Sequence, residues 1–297
     1  MRFGVVVLPE HPWSEARRLW SRVEGLGFDH AWTYDHLAWR SLRDRPWHAA
    51  VPYLAAAAVV TARVRLGTLV ASPNFRHPVP FAREIVTLDE LSGGRLTLGL
   101  GAGGTGWDAH VLGQRWSQAE RTGRFTEFVT MLDRLLRERA VSDHGRYYEA
   151  VEARSYPGCV QTPRVPFAVA ATGPKGMRLA AAYGQTWATT GDAGPEGELI
   201  DVADGVRVVR SQMALLDDAC ESVGRDPATI DRLVLTGPRL EAGLESSGSF
   251  EDLCGRYAEA GVTDLVVHWP RPCEPYAGDV SHFEDVVGHA IARRTSG

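Results

Sequence analysis

The chain has 297 residues, 44% of them hydrophobic and 23% charged, with a formal net charge of -5. This is the make-up of a folded globular protein with material for a large core, and it excludes general disorder. The charge is mild and holds no run of one sign, so nucleic acid and membrane surfaces are poor partners and a small molecule is the expected one. Cys159, Cys220, Cys254 and Cys273 form no CxxC pair, which argues against a zinc knuckle or a redox dithiol and suits the reducing cytoplasm.

RFGVVVLP is the first predicted strand, and Pro9 and Glu10 end its apolar run too early for a leader sequence. Ser14 is the expected cap of a helix whose Ala16, Leu19, Trp20, Val23 and Leu26 share one face and which Gly27 stops. FDHAWTYDH reads as strand two. The apolar stretch at 49–62 contains Pro52 and is shorter than the about 20 residues a membrane span needs, so it reads as a core helix. RLGTLVAS is strand three, a helix runs from Pro78 to Leu91, and RLTLGLG is strand four. A glycine-rich loop, a helix from Glu120 to Arg139 and an irregular excursion, SDHGRYYEAVEARSYPGCVQTPR, precede strand five, PFAVAA. GPKGMRLAAAYG is the next helix and TWATT strand six. Helices at 202–223, 250–260 and 283–293 then alternate with strands RLVLTG and DLVVHW.

Eight strand–helix units without a linker between them predict an α/β protein, a closed (β/α)8 TIM barrel of one domain over residues 1–297, with its excursion before strand five. Active sites of such barrels lie at the C-terminal ends of the strands. Strand two ends in Asp35 and His36, so both are expected at a pocket. His36 can exchange a proton near neutral pH, and Asp35 either orients that imidazole or caps the next segment.

GAGGTG at 101–106 matches GxGxxG after a strand, but no helix opens directly behind it and no acid-tipped strand follows, so a Rossmann dinucleotide site does not fit. Gly103 and Gly104 would instead let the backbone approach a flat ligand, or simply loosen a loop. In ATGPKG, from Ala171 through Thr172 and Gly173, Pro174 suits the first turn of a helix. Lys175, the one lysine among 32 basic residues, then sits at the positive end of that helix, which together with free backbone N–H groups calls for an anion such as a phosphate. Thr189, Thr190 and Gly191, ending strand six, could add donors or be ordinary strand residues. Trp13, Trp39, Trp47, Trp107 and Trp269 fall at or beyond strand ends, which suggests a large planar ligand at one mouth. His77, His110, His144 and His282 lack metal-ligand spacing, and no metal is expected.

With YDH after strand two, LGTLVASPNFRHP at 66–78, LDELSGGRLTLGLGAG at 88–103 and ATGPKGMRLAAAYGQTWATTG at 171–191, the chain resembles the bacterial luciferase-like superfamily along nearly its whole length. The resemblance implies a (β/α)8 barrel that binds coenzyme F420 or FMN, often as a homodimer. It implies that His36, with Asp35 beside it, lies against the deazaflavin ring and takes part in proton handling. It also implies a non-proline cis peptide at Leu69–Val70 that buttresses the ring, and a phosphate site at Gly173, Lys175, Thr190 and Gly191. The glutamate that acts as proton donor after strand four in the sugar-phosphate dehydrogenases of this family is replaced by Gly104 or Thr105, with Asp108 the nearest acid.

The expected function is therefore F420-dependent hydride transfer to or from an apolar or aromatic small molecule, through reduction of C=C or C=N, with His36 or Asp108 delivering the proton. The alternatives are an FMN-dependent monooxygenase and, in another class, a non-catalytic flavin-binding protein.

Overall fold

The computed structural model describes residues 1–104, 106–191 and 198–295. Eight parallel strands close into a barrel: β1 (Arg2–Val6), β2 (His30–Thr33), β3 (Arg65–Ala71), β4 (Leu96–Leu100), β7 (Phe167–Ala170), β8 (Thr186–Thr189), β9 (Asp231–Leu235) and β10 (Asp264–His268), in that order around the ring. β1 closes it by pairing with β2 on one side, Val6 opposite Trp32, and with β10 on the other, Val6 opposite His268.

The outer ring is α1 (Trp13–Gly25), α2 (Ala50–Val60), α3 (Pro78–Ser92), α4 (Gln118–Arg137), α5 (Pro174–Tyr183), α6 (Val202–Ser222), α7 (Ser247–Glu259) and α8 (Val280–Thr295). The predicted barrel is thus observed, with most boundaries within a few residues of the expected ones. Ser14 is not a cap. Pro12, extended at φ -60° and ψ 149°, precedes Trp13 as the first helical residue, and Ser14 falls inside the first turn. α4 opens on a reciprocal capping box: the Ser117 hydroxyl accepts from the Glu120 N–H while the Glu120 carboxylate accepts from the Ser117 N–H.

The period-two alternation of the strands separates two cores. One lies between strands and helices and contains Trp20, Phe81, Phe128, Trp187 and Tyr257. The other fills the barrel interior with Val6, Trp32, Tyr34, Trp39, Leu69, Leu235 and Val266. Gly67 is required there, because a Cβ on it would sit 2.4 Å from the Trp32 ring.

The excursion is more regular than its sequence suggests. β5 (Ala140–His144) and β6 (Glu149–Arg154) form an antiparallel hairpin outside the barrel. Its turn is fixed from α4, where the Glu127 carboxylate accepts the N–H groups of Arg146, Tyr147 and Tyr148 at 3.1, 3.0 and 2.7 Å. The chain returns to β7 past Asp89, whose carboxylate accepts from the N–H groups of Val160 and Gln161.

Candidate active site

The loop after β2 carries His36 to the mouth of the barrel. Its Nδ1 lies 2.5 Å from Asp108 Oδ2, across 72 positions of sequence. A carboxylate can only accept, so Nδ1 carries the hydrogen and Nε2 is the ring atom left for other partners. Asp108 sits in a 3-10 turn (Trp107–Ala109) after β4, and its Oδ1 also accepts from the N–H groups of Leu37 and Ala38 at 3.1 Å each. The carboxylate therefore fixes both the imidazole and the backbone that bears it. The His36 side chain is 37% exposed and that of Asp108 8%, so the ring faces open space while its holder is buried. Trp47 Nε1 donates to the His36 carbonyl at 2.9 Å.

Asp35 does not orient His36. Its carboxylate takes the Arg76 guanidinium in a two-pronged pair of 2.7 and 2.8 Å, tying the loop after β2 to the one after β3. The two neighbours thus tie the loop after β2 to different loops, Asp35 to the one after β3 and His36 to the one after β4.

Beside His36 the ends of β3 and β4 form a shelf. Leu69–Val70 is a non-proline cis peptide, as the resemblance implied, and the β3–β4 register shifts between Thr68 and Ala71. The shelf's glycines make room for neighbouring side chains. A Cβ on Gly101 would come 2.4 Å from Val70 Cγ2, and one on Gly103, at φ +77°, would strike the Asn74 amide at 2.6 Å. Gly103 thus serves the packing of Asn74, whereas Gly104 is exposed and open. Thr105 lies outside the described residues.

Next around the ring, α5 begins at Pro174 with Gly173 as its cap residue and no side-chain cap. Thr172 and Gly173 are exposed, Ala171 is half-buried, and a Cβ on Gly173 would meet nothing within 4 Å. Three expected members of this set are placed differently. Lys175 is exposed and lines a cavity of about 400 Å³ together with Thr122, Glu127, Asp143 and Gly145, residues of α4 and the hairpin and not of the mouth. Thr189 is buried with its hydroxyl donating to Gln212 Oε1 at 2.7 Å, and the Gly191 N–H is used on that same hydroxyl at 3.1 Å. Thr190 alone of the three is exposed.

The tryptophans divide. Trp39 and Trp47 stack at the mouth, ring centroids 6.0 Å apart. Trp107 is exposed beside Asp108. Trp13 packs edge-on against Tyr53 of α2, and Trp269 against Phe283 of α8, so both belong to the outer ring. Inward alternation falls instead on His268, which sequence reading missed although it ends a barrel strand. His268 Nε2 lies 2.7 Å from the Tyr34 hydroxyl and Nδ1 3.2 Å from the Thr236 carbonyl. The carbonyl needs a donor, so Nδ1 holds the hydrogen and Tyr34 donates to Nε2. Burial pushes the imidazole down to about 3, which keeps it neutral.

The chain is similar to proteins of known activity. A family model for luciferase-like monooxygenases matches residues 1–237. An F420-dependent glucose-6-phosphate dehydrogenase of Beutenbergia cavernae is 38% identical over 183 residues, 59% of this chain and 52% of that protein. A 4-hydroxyprotoasukamycin monooxygenase of Streptomyces nodosus is 31% identical over 242 residues, 77% of this chain and 61% of that protein. The chain thus spans about half to three fifths of the length of the curated relatives it matches. Among solved structures, an F420-dependent secondary alcohol dehydrogenase in complex with an F420-acetone adduct superposes with a TM-score of 0.80 at 18% identity over 98% of both chains. The F420-dependent tetrahydromethanopterin reductase of Methanopyrus kandleri does so at 0.78 and 17% identity over 99% of both, and these two likenesses concern the fold. With most of its length matched by the family model, on a barrel of the same architecture, the chain belongs to the luciferase-like monooxygenase family.

Proposed function

We propose that this protein is an F420-dependent oxidoreductase acting on a small, uncharged, apolar or aromatic molecule, with reduction of C=C or C=N as the reaction. The observation that carries the reading is the imidazole of His36, 37% exposed and held by the buried Asp108, at the mouth where β3 ends near Leu69 and Val70 and β4 runs into Gly101. Such a shelf fits a flat tricycle, and the uncapped, open start of α5 fits a phosphate through its backbone N–H groups. Leu69, Val70 and Gly101 would then lie under the ring, and Thr172, Gly173 and Thr190 beside the phosphate, with Lys175 left out of the set. Several relatives carry F420 dependence in their names, including an F420-dependent hydroxymycolic acid dehydrogenase of Mycobacterium tuberculosis, 28% identical over 235 residues.

When bound, the deazaflavin supplies a hydride donor or acceptor at carbon five of its ring. The chain's own residues do the rest. Asp108 holds His36 with Nε2 outward, so that this nitrogen can give or take the proton that accompanies reduction. The buried aromatic interior keeps water from the ring's inner side. Two arginines on these loops, Arg76 and Arg271, are already engaged by Asp35 and Glu10. An uncharged substrate is proposed because no glutamate stands after β4, where Gly104 and Thr105 are found.

The second reading, an FMN-dependent monooxygenase, draws on the monooxygenase named among the relatives. Titrating the purified protein with F420 and with FMN, then exposing each reduced complex to air, separates the two. Tight F420 binding with a reduced form stable in air supports the proposal. Tight FMN binding with rapid reaction with oxygen supports the alternative, and binding of neither refutes both.

A further inference from the structure

Lys175 carries the one lysine ammonium of the molecule, at the second position of α5, where the helix dipole disfavours a cation that nothing answers. Among the described residues it forms no hydrogen bond or ion pair. It borders the cavity of about 400 Å³ between α4, the β5–β6 hairpin and the start of α5.

The acids of this cavity are already engaged. The Glu127 carboxylate is spent on the backbone N–H groups of the hairpin turn, and Asp143 meets Arg134 Nη1 at 2.8 Å. Neither is left to pair with Lys175 or to demand a cation of its own. Along α4 the wall is a row of threonines four residues apart, Thr122, Thr126 and Thr130. Each of their hydroxyls donates to the carbonyl four residues before it at 2.9 Å, so what their oxygens still offer is lone pairs, as acceptors. The cavity thus presents a run of acceptors and an unanswered cation. An apolar ligand would satisfy neither. A chain bearing both amide N–H groups and carboxylates would satisfy both.

Lys175 follows Gly173 by two residues, so the cavity adjoins the helix start proposed for the cofactor phosphate. In F420 that phosphate leads through a lactyl unit into a chain of glutamates, which supplies amide donors and carboxylates together. We propose that this cavity receives the oligoglutamate tail of F420, with the Lys175 ammonium pairing a tail carboxylate and the threonine row accepting from tail amides. The inference rests on the F420 reading and extends it to a part of the cofactor remote from the reacting ring. FMN ends at its phosphate and has nothing to place there.

The test compares the affinity of the protein for F420 with a long glutamate tail and for the tail-free form. The wild type is expected to hold the long-tailed form about five-fold more tightly, the size of one partly exposed ion pair, and the advantage should shrink at high salt. Lys175→Gln should bring the two forms to within about two-fold of each other by weakening only the long-tailed one. Lys175→Arg should keep the advantage, and Thr126→Glu, which adds a like charge to the exposed wall, should reduce it. Because the chain has a single lysine, protein grown on isotope-labelled lysine gives one side-chain ammonium signal, which should shift with the long-tailed form and stay in place with the tail-free one. Equal wild-type affinity for the two forms, a Lys175→Gln variant that keeps the advantage, or a lysine signal indifferent to the tail would overturn the inference while leaving the F420 reading intact. Binding of neither form would refute that reading, and the inference with it.

Discussion

His36 Nδ1 lies 2.5 Å from Asp108 Oδ2, and the same carboxylate caps the N–H groups of Leu37 and Ala38. A holder of this kind selects the tautomer and the aim of the ring without touching a ligand itself. Asp108→Asn keeps an acceptor for the two backbone donors but loses the charge that answers the imidazole. Turnover should fall about 10–100-fold, the usual cost of losing such an orienting partner, while F420 affinity stays within about two-fold. Turnover that stays at the wild-type level would make Asp108 a loop anchor only.

Asp35 and Arg76 form a pair with side chains 2% and 12% exposed, and Arg76 also stacks over the Phe81 ring at 4.3 Å. Asp35→Asn leaves Arg76 only the half-exposed Glu84 carboxylate at 3.2 Å, so the cost is expected below the about 3–5 kcal/mol of a wholly unpaired buried charge. Asp35→Asn should therefore lower the urea midpoint markedly, and the loss of activity per folded molecule should stay small. A variant of full stability and abolished turnover would instead give Asp35 the direct role that its neighbour His36 holds here.

His268 provides a pH dependence. Its folded state stays neutral down to about 3 because burial disfavours the imidazolium, whereas the unfolded side chain protonates near 6.5. Below 6.5 the unfolded chain binds the extra proton and the folded chain does not, so stability falls as pH falls, by at most about 1.4 kcal/mol per pH unit. Urea midpoints measured from about pH 7 to about pH 5 should drop for the wild type and drop less steeply for His268→Gln. Equal slopes would contradict the buried, neutral ring.

Gly101 lies where Val70 leans over the end of β4. Gly101→Ala would set a methyl 2.4 Å from Val70 Cγ2 and force the shelf to rise. F420 affinity should weaken about ten-fold or more, as expected when a positioning surface shifts by about 1 Å, with circular dichroism unchanged. Wild-type affinity in that variant would move the cofactor ring away from β3 and β4.

Much of this was legible in the sequence for one reason: barrel strands alternate and their helices carry apolar stripes, and both signals are local. Strand ends therefore pointed to His36, Trp39 and the glycines Gly103 and Gly104, which the structure places just beyond β2 and β4. The hairpin β5–β6 gave no signal because its strands are largely exposed, with Val141 and Ala150 the buried exceptions. Partners were not legible either, since Asp108 reaches His36 from 72 positions away and Arg76 reaches Asp35 from 41. Lys175 was placed on the right helix turn but its direction was not encoded there; it faces α4 and the hairpin, so the proposed phosphate site draws on the backbone of α5 and not on an ammonium. Trp269 could have been excluded by alternation, for the same argument that turns His268 inward turns Trp269 outward to Phe283.

The central claim is that a deazaflavin lies across the mouth against His36, and nitrogen-labelled histidine reports on it directly. The His36 ring resonances, assigned with His36→Gln, should move in step with F420 addition and saturate at one equivalent, while those of the buried His268 shift much less. F420 that binds tightly and leaves the His36 signals where they were would contradict the account.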